Sequence, residues 1–258
     1  PRLLVGIGLH PHYEIPAMDL GGRHALVITT SHATLGDSGK RTGVWASEMT
    51  VPYYAFMDAG MDVDIASIQG GPIPIEPQSL RWPVASPADR RFLRDAAARS
   101  KVERSLAVED VDASSYDIVF LAGGWGAAYD LGQSVTLGGK VSEAYASNAI
   151  VGGVCHGPLG LLQAMTPTGE PLVRGRRIAA VTDKQIEELG ITFTPMHPER
   201  DLQRRRRPVR GREPVPRHVR EPRGRRWPSG DRPEPELRCR NGTPDDGGTA
   251  KFKPMMAR

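Results

Sequence analysis

The chain has 258 residues and a formal net charge of +4, but residues 1–202 carry 17 basic and 23 acidic side chains (net −6), whereas residues 203–258 carry 17 and 7 (net +10). The first part is long enough for one domain with a core of its own, and the second has too few large apolar residues to bury anything. No run approaches the roughly 18 apolar residues of a membrane span, and two cysteines, Cys155 and Cys239, in segments of opposite character exclude a disulfide framework, so a soluble protein of a reducing compartment, by default the cytoplasm, is expected.

In chain order, residues 1–17 read as a leader of no assigned function, because Met18 stands just before the first convincing strand. From His24 to Thr182, β-branched or apolar runs alternate with helix-like segments, the pattern of βαβ units around a parallel sheet covered on both faces. Strands are predicted at 25–30, 62–67, 117–122, 149–154 and 177–182. Helices are predicted at 44–59, 87–100, 138–147, 156–165 and near 184–189, where Gly190 stops the last one. Gly and Pro cluster at 69–77 as an ordered loop, and the domain is drawn at 18–202.

Three segments carry chemistry. In AIVGGVCHGP (149–158) a cysteine follows a buried strand directly, with glycines on both sides, which describes a nucleophile elbow. The helix expected after it would favour thiolate over thiol and lower the pKa of Cys155 from its usual value of about 8.5. The competing reading is a buried structural cysteine in a tight turn. In FLAGGWG (120–126) a strand again runs into glycines, whose exposed N–H groups suit an oxyanion, or else simply make a tight turn. Glu48 opens an otherwise apolar helix, where a carboxylate tends to hold its proton and can relay it; the alternative is a solvated first-turn glutamate.

Together the stretches TGVWxxE (42–48), YYAFMDAGMDVDIAS (53–67), GGPIPIEPQS (70–79), FLAGGWGAAYDL (120–131) and VCHGPLGLL (154–162) resemble the ThiJ/PfpI superfamily, relatives of class I glutamine amidotransferases, and in particular its chaperone and glyoxalase III branch. The resemblance spans roughly 24–200. It implies a flavodoxin-like three-layer α/β sandwich with a mainly parallel central sheet and a nucleophile elbow. It also implies Cys155 as nucleophile, His156 as its neighbouring base, Glu48 as the acid touching the thiol, and Gly123, Gly124, Trp125 and Gly157 as oxyanion or substrate contacts. For a third acid in VTDKQIEELG (181–190), Glu187 best matches one form of this segment and Asp183 is the runner-up.

The activity implied is conversion of methylglyoxal and water to D-lactate without glutathione, cofactor or metal, or a related deglycase or stress-chaperone role. His10, His12, His24, His32 and His197 show no metal-ligand spacing; most are expected on the surface or in loops, and His32 is a candidate for lining the pocket. The partner expected is a small reactive aldehyde, with a homodimer allowed. Rival readings are a glutamine amidotransferase, a cysteine peptidase and a non-catalytic holdase. The Glu48 motif argues against the first.

Residues 203–258 have neither a 2.0 nor a 3.6 apolar period and are expected to be a disordered Arg/Pro-rich tail. Relatives normally close with a strand pair resembling HVVVDGxLVTGQNQNSGAET. Residues 221–242, back-translated and read one base later, have codons that permit this text; for instance Pro233-Glu234-Pro235-Glu236 becomes CNG-ARC-CNG, which allows Gln-Asn-Gln. A frameshift near Gln203 is therefore expected, and the coding DNA decides it. The alternative, an arm that binds nucleic-acid phosphates, lacks stacking aromatics apart from Trp227.

Overall fold

The computed structural model describes residues 18–206. The leader, and the tail from 207 onward with its reading-frame question, lie outside the described residues. Five parallel strands, β1 (His24–Thr29), β2 (Asp62–Ser67), β3 (Leu106–Ala107), β4 (Ile118–Leu121) and β5 (Ile150–Gly153), form one sheet in the order β3-β2-β1-β4-β5. Alternation along the strands divides their side chains between two cores. Leu26 and Ile28 of β1 join Val119 and Leu121 of β4 on one face, and Ala25 and Val27 join Val63 and Ile65 of β2 on the other.

Helices cover both faces. On the second face lie α1 (Ala46–Asp58), through Met49, Tyr53 and Tyr54, α2 (Pro87–Phe92), through Phe92, and α3 (Ala96–Glu103), through Ala98 and Val102. The first face carries α4 (Ala127–Asp130) and α5 (Val135–Ala146), the latter through Leu137, Val141 and Ala144. Two further helices, α6 (Asp183–Leu189) and α7 (Pro198–Arg206), follow the elbow. This is the flavodoxin-like three-layer sandwich expected. No helix among the described residues is long and apolar enough to cross a membrane.

Strand order reverses between β1 and β4, and in open parallel sheets ligands bind beyond the C-terminal strand ends at such a switch point. The segments singled out above all leave the sheet there: Thr30–His32 after β1, Gly123–Trp125 after β4 and Cys155–His156 after β5. Glu48 reaches the same edge from the first turn of α1, whose Ala46 N–H is capped from outside by Ser79 Oγ at 3.0 Å.

Local chemistry accounts for the differences from the expected elements. The predicted helix 87–100 divides because Asp95 accepts the Ala98 N–H at 3.0 Å and so caps a new helix, α3. Residues 177–182 form no strand. Val181 N–H donates to Cys155 O at 3.2 Å, but β-branched residues alone do not supply a partner edge. In place of the predicted helix 156–165 stands a tighter 3-10 turn, Gly157–Leu161. The two-residue β3 was too short to carry a period. Helix α7 runs four residues beyond the boundary drawn at 202, and its Arg205 donates to Leu162 O at 3.0 Å.

Candidate active site

Cys155 has φ 56°, in the left-handed region that side chains other than glycine rarely occupy. The turn holding it is built by neighbours that leave no room. A Cβ on Gly157 would lie 2.0 Å from Leu121 O, so the chain beyond the nucleophile packs directly on the end of β4. One on Gly123 would lie 2.5 Å from Glu48 Oε2 and 2.7 Å from His156 N, and Gly124, at φ +94°, would meet Gly43 O and Trp45 N at 2.4 Å. These glycines allow three chain segments, around residues 43–48, 122–125 and 154–157, to converge.

At the convergence stand Glu48, Cys155 and His156. Cys155 Sγ lies 3.3 Å from His156 Nδ1, and the Glu48 carboxyl, whose Oε2 is buried without a hydrogen-bond partner, faces the thiol beside the Gly124 and His156 amides. Burial raises Glu48 from 4.5 to about 7, against the opposing pull of the thiol and of the Gly123 and Gly124 amides. Burial, reinforced by the Glu48 charge, pushes Cys155 up to about 12. The expected lowering of the thiol pKa is thus reversed, because no full helix follows the elbow and desolvation with a neighbouring carboxylate disfavours a second negative charge. His156 is pushed down to about 4 by burial, with a smaller contribution from the charge of His197, and is therefore neutral at pH 7.

The other ring nitrogen of His156, Nε2, is buried without a hydrogen-bond partner, and the Trp125 ring packs against the imidazole at a tilt of 53°, with centroids 4.8 Å apart. Beyond it stands a pair that residue patterns did not reveal. His197, in the loop before α7, is only 9% exposed, with Nδ1 3.4 Å from Asp183 Oδ1 and Nε2 donating to Thr192 O at 3.2 Å. Asp183 and His197 sit at the starts of α6 and α7, and Glu199 of α7 accepts the Asp183 N–H at 2.9 Å. Glu187 lies one turn further along α6 and is exposed. The structure therefore gathers Cys155, His156, Glu48, Gly123, Gly124 and Trp125. Gly157 is enclosed by β4, and Glu187 stands outside the cluster. The only sequence signal for His197 was its place directly before Pro198, the first residue of a helix.

A model of the DJ-1/PfpI family matches residues 41–192, a span that includes Glu48, Gly123 and Cys155. The chain belongs to this family. Among DJ-1/PfpI proteins and other curated relatives it is similar to "Glyoxalase 3" of Candida albicans, at 28% identity over 170 residues, 65% of this chain and 72% of that protein. Among solved structures, Rapid Encystment Protein 24 KDa of Francisella tularensis is 31% identical with a TM-score of 0.67, covering 71% of this chain and 81% of the other. Glyoxalase III from Candida albicans is 27% identical with a TM-score of 0.61, covering 66% and 72%.

Proposed function

We propose that the chain is a glutathione-independent glyoxalase that converts methylglyoxal and water to D-lactate at Cys155. The observation that carries this reading is the buried contact of Glu48 with a thiol on a left-handed elbow, in a chain similar to glyoxalases across most of its domain. Thiol chemistry needs a base, and the two candidates differ. A Glu48 carboxyl at about 7 is matched to neutral pH, whereas His156 at about 4 is the weaker base.

In the mechanism that follows, Cys155 Sγ attacks the aldehyde carbon while its proton passes to Glu48, and the developing oxyanion is held by the amide of Gly124. Glu48 returns that proton to the oxygen, which gives the hemithioacetal. As a carboxylate again, it removes the proton from C1 and delivers it to C2, while the hydroxyl proton on the C1 oxygen passes to the former ketone oxygen, so that the hemithioacetal becomes a lactate thioester. Water, activated by neutral His156, attacks the thioester; the C–S bond breaks, the thiol regains a proton and D-lactate leaves. The third acid is assigned to Asp183, which pairs with His197, rather than to the exposed Glu187.

Cys155→Ala removes the nucleophile in the smallest step available. D-lactate production from methylglyoxal is expected to fall to the uncatalysed rate, and full production by this variant would overturn the proposal. Suppression of aggregation of a client protein, measured on the same variant, separates the enzyme from a holdase, since a holdase would need no thiol.

A further inference from the structure

A second polar cluster lies at the same edge of the sheet, where β1 ends. Thr30 Oγ1 and the Ser31 N–H both donate to Asp130 Oδ2 at 2.8 Å, and the His32 N–H donates to Thr30 Oγ1 at 2.9 Å. The His32 and Tyr129 rings stack, with centroids 4.1 Å apart and planes 9° from parallel. In spite of this ordering, His32 Nε2 and Tyr129 Oη are buried and have no hydrogen-bond partner, and Asp130 Oδ1 shares that condition. Buried polar groups are nearly always paired, so unpaired ones in a well-held cluster mark the place of an absent partner.

The cluster borders the nucleophile's surroundings. A Cβ on Gly126 would lie 2.7 Å from His32 O, and Gly126 follows Trp125, whose ring packs at a tilt against His156. Trp125 shares an apolar cluster with Leu35 and Ile186, against which Tyr129 packs. The stacked rings therefore continue the wall that Trp125 begins. The Gly36 amide approaches the Tyr129 hydroxyl oxygen, which leaves the hydroxyl hydrogen to donate.

We infer that His32 and Tyr129 recognise the second carbonyl oxygen of a 1,2-dicarbonyl substrate, with Asp130 as a positioning residue that fixes the loop through Thr30 and Ser31. The inference rests on the glyoxalase reading and deepens it. A simple aldehyde has one oxygen, which the Gly124 amide holds once sulfur has added. A 1,2-dicarbonyl has another on the adjacent carbon, and that oxygen needs a donor twice. It needs one on binding and one when the C1–H bond breaks, because the electron pair then forms the C1=C2 bond and leaves negative charge on the former ketone oxygen. Reprotonation at C2 restores the single bond as the C1 hydroxyl becomes the thioester carbonyl and its proton passes to the former ketone oxygen. Two buried donors at this position stabilise the charged oxygen selectively.

The test uses the full chain in a Cys239→Ser background, so that alkylation reports Cys155 alone. Protection of Cys155 from iodoacetamide is measured with methylglyoxal and with propanal, each normalised to the same experiment on N-acetylcysteine, which removes intrinsic electrophilicity. The parent protein is expected to favour methylglyoxal by about tenfold or more after normalisation, the worth of one good hydrogen bond. Tyr129→Phe and His32→Phe keep the stacked rings but lose the donors, and should each collapse that preference and raise KM for methylglyoxal. His32→Gln, which restores an N–H donor, should recover part of it. Without aldehyde, alkylation rates should stay within about twofold of the parent, since neither residue touches the thiol pair. A preference retained in both Phe variants would overturn the inference, as would alkylation altered in the absence of aldehyde, which would mark the pair as structural. If the parent produces no D-lactate, the glyoxalase reading fails, and the protection ratios still decide dicarbonyl recognition.

Discussion

Glu48→Gln is the substitution that most directly tests how the site moves protons, because it keeps the side chain's shape and removes only its ability to ionise. With Glu48 near 7, about one eleventh of the carboxyl is ionised at pH 6 and about ten elevenths at pH 8, so a rate that depends on the carboxylate as base should rise about tenfold across that interval. The sign follows from the role: a base works deprotonated, and burial has moved that deprotonation upward into the neutral range. Neither partner offers a competing limb, since His156 is neutral throughout at about 4 and Cys155 stays a thiol below about 12. In Glu48→Gln the limb should vanish and kcat/KM fall by about 10²–10⁴, the usual worth of a positioned base. Initial rates of D-lactate formation from methylglyoxal, between pH 5.5 and 8.5 at fixed ionic strength and corrected with Cys155→Ala, give both numbers. A flat parent profile between pH 6 and 8, or a variant that keeps the rise, would refute the assignment of Glu48 as the base.

Gly123→Ala should lower D-lactate formation by about 10²-fold or more, because the added methyl would sit 2.5 Å from Glu48 Oε2 and 2.7 Å from two backbone atoms at the elbow, His156 N and Val154 O. The same variant should unfold at a lower temperature, by the equivalent of about 1–3 kcal/mol for overpacking, as differential scanning calorimetry would show; unchanged activity would mean that Glu48 need not sit where it does. Asp183→Asn should reduce kcat by about 10–100-fold with little change in KM, whereas Glu187→Gln, altered at an exposed position, should stay within about twofold of the parent. The reverse ranking in steady-state kinetics would return the third-acid role to Glu187.

Long-range order was readable wherever the period was strong. The run at 25–30 is apolar on both faces because β1 is an interior strand with a core on each side, so it stands out in composition alone. The elbow was legible for a different reason. A cysteine placed between a strand and Gly157 has few other uses, and its φ of 56° is the geometry those neighbours imply. What the sequence hid depended on partners far apart along the chain. Asp183 opens α6 and His197 precedes α7, and nothing in either local pattern says that the two side chains lie 3.4 Å apart. Tyr129 and Asp130 read as ordinary helix residues, yet they are tied to residues 30–32 by a ring stack and two hydrogen bonds across about a hundred positions. The thiol's protonation was misjudged on similar grounds, since a motif shows the turn but not how deeply it is buried or which carboxylate faces it.

That protonation looks at first like a handicap for a nucleophile. With its pKa at about 12, only about one Cys155 in 10⁵ carries a free thiolate at pH 7, far fewer than for an ordinary exposed cysteine. Yet the proton need not leave for solvent. Glu48 faces the thiol and can accept the proton as the S–C bond forms, when the growing bond rather than water stabilises the sulfur. A resting thiolate would react with any oxidant or alkylating agent that entered, because susceptibility follows thiolate character. A buried thiol paired with a base reacts at full rate only with an electrophile that fits between Glu48, the Gly124 amide and the wall formed by Trp125. The strain at Cys155, the close-packed glycines and the desolvated carboxyl then serve one end: chemistry that starts when the substrate arrives and is suppressed when it is absent.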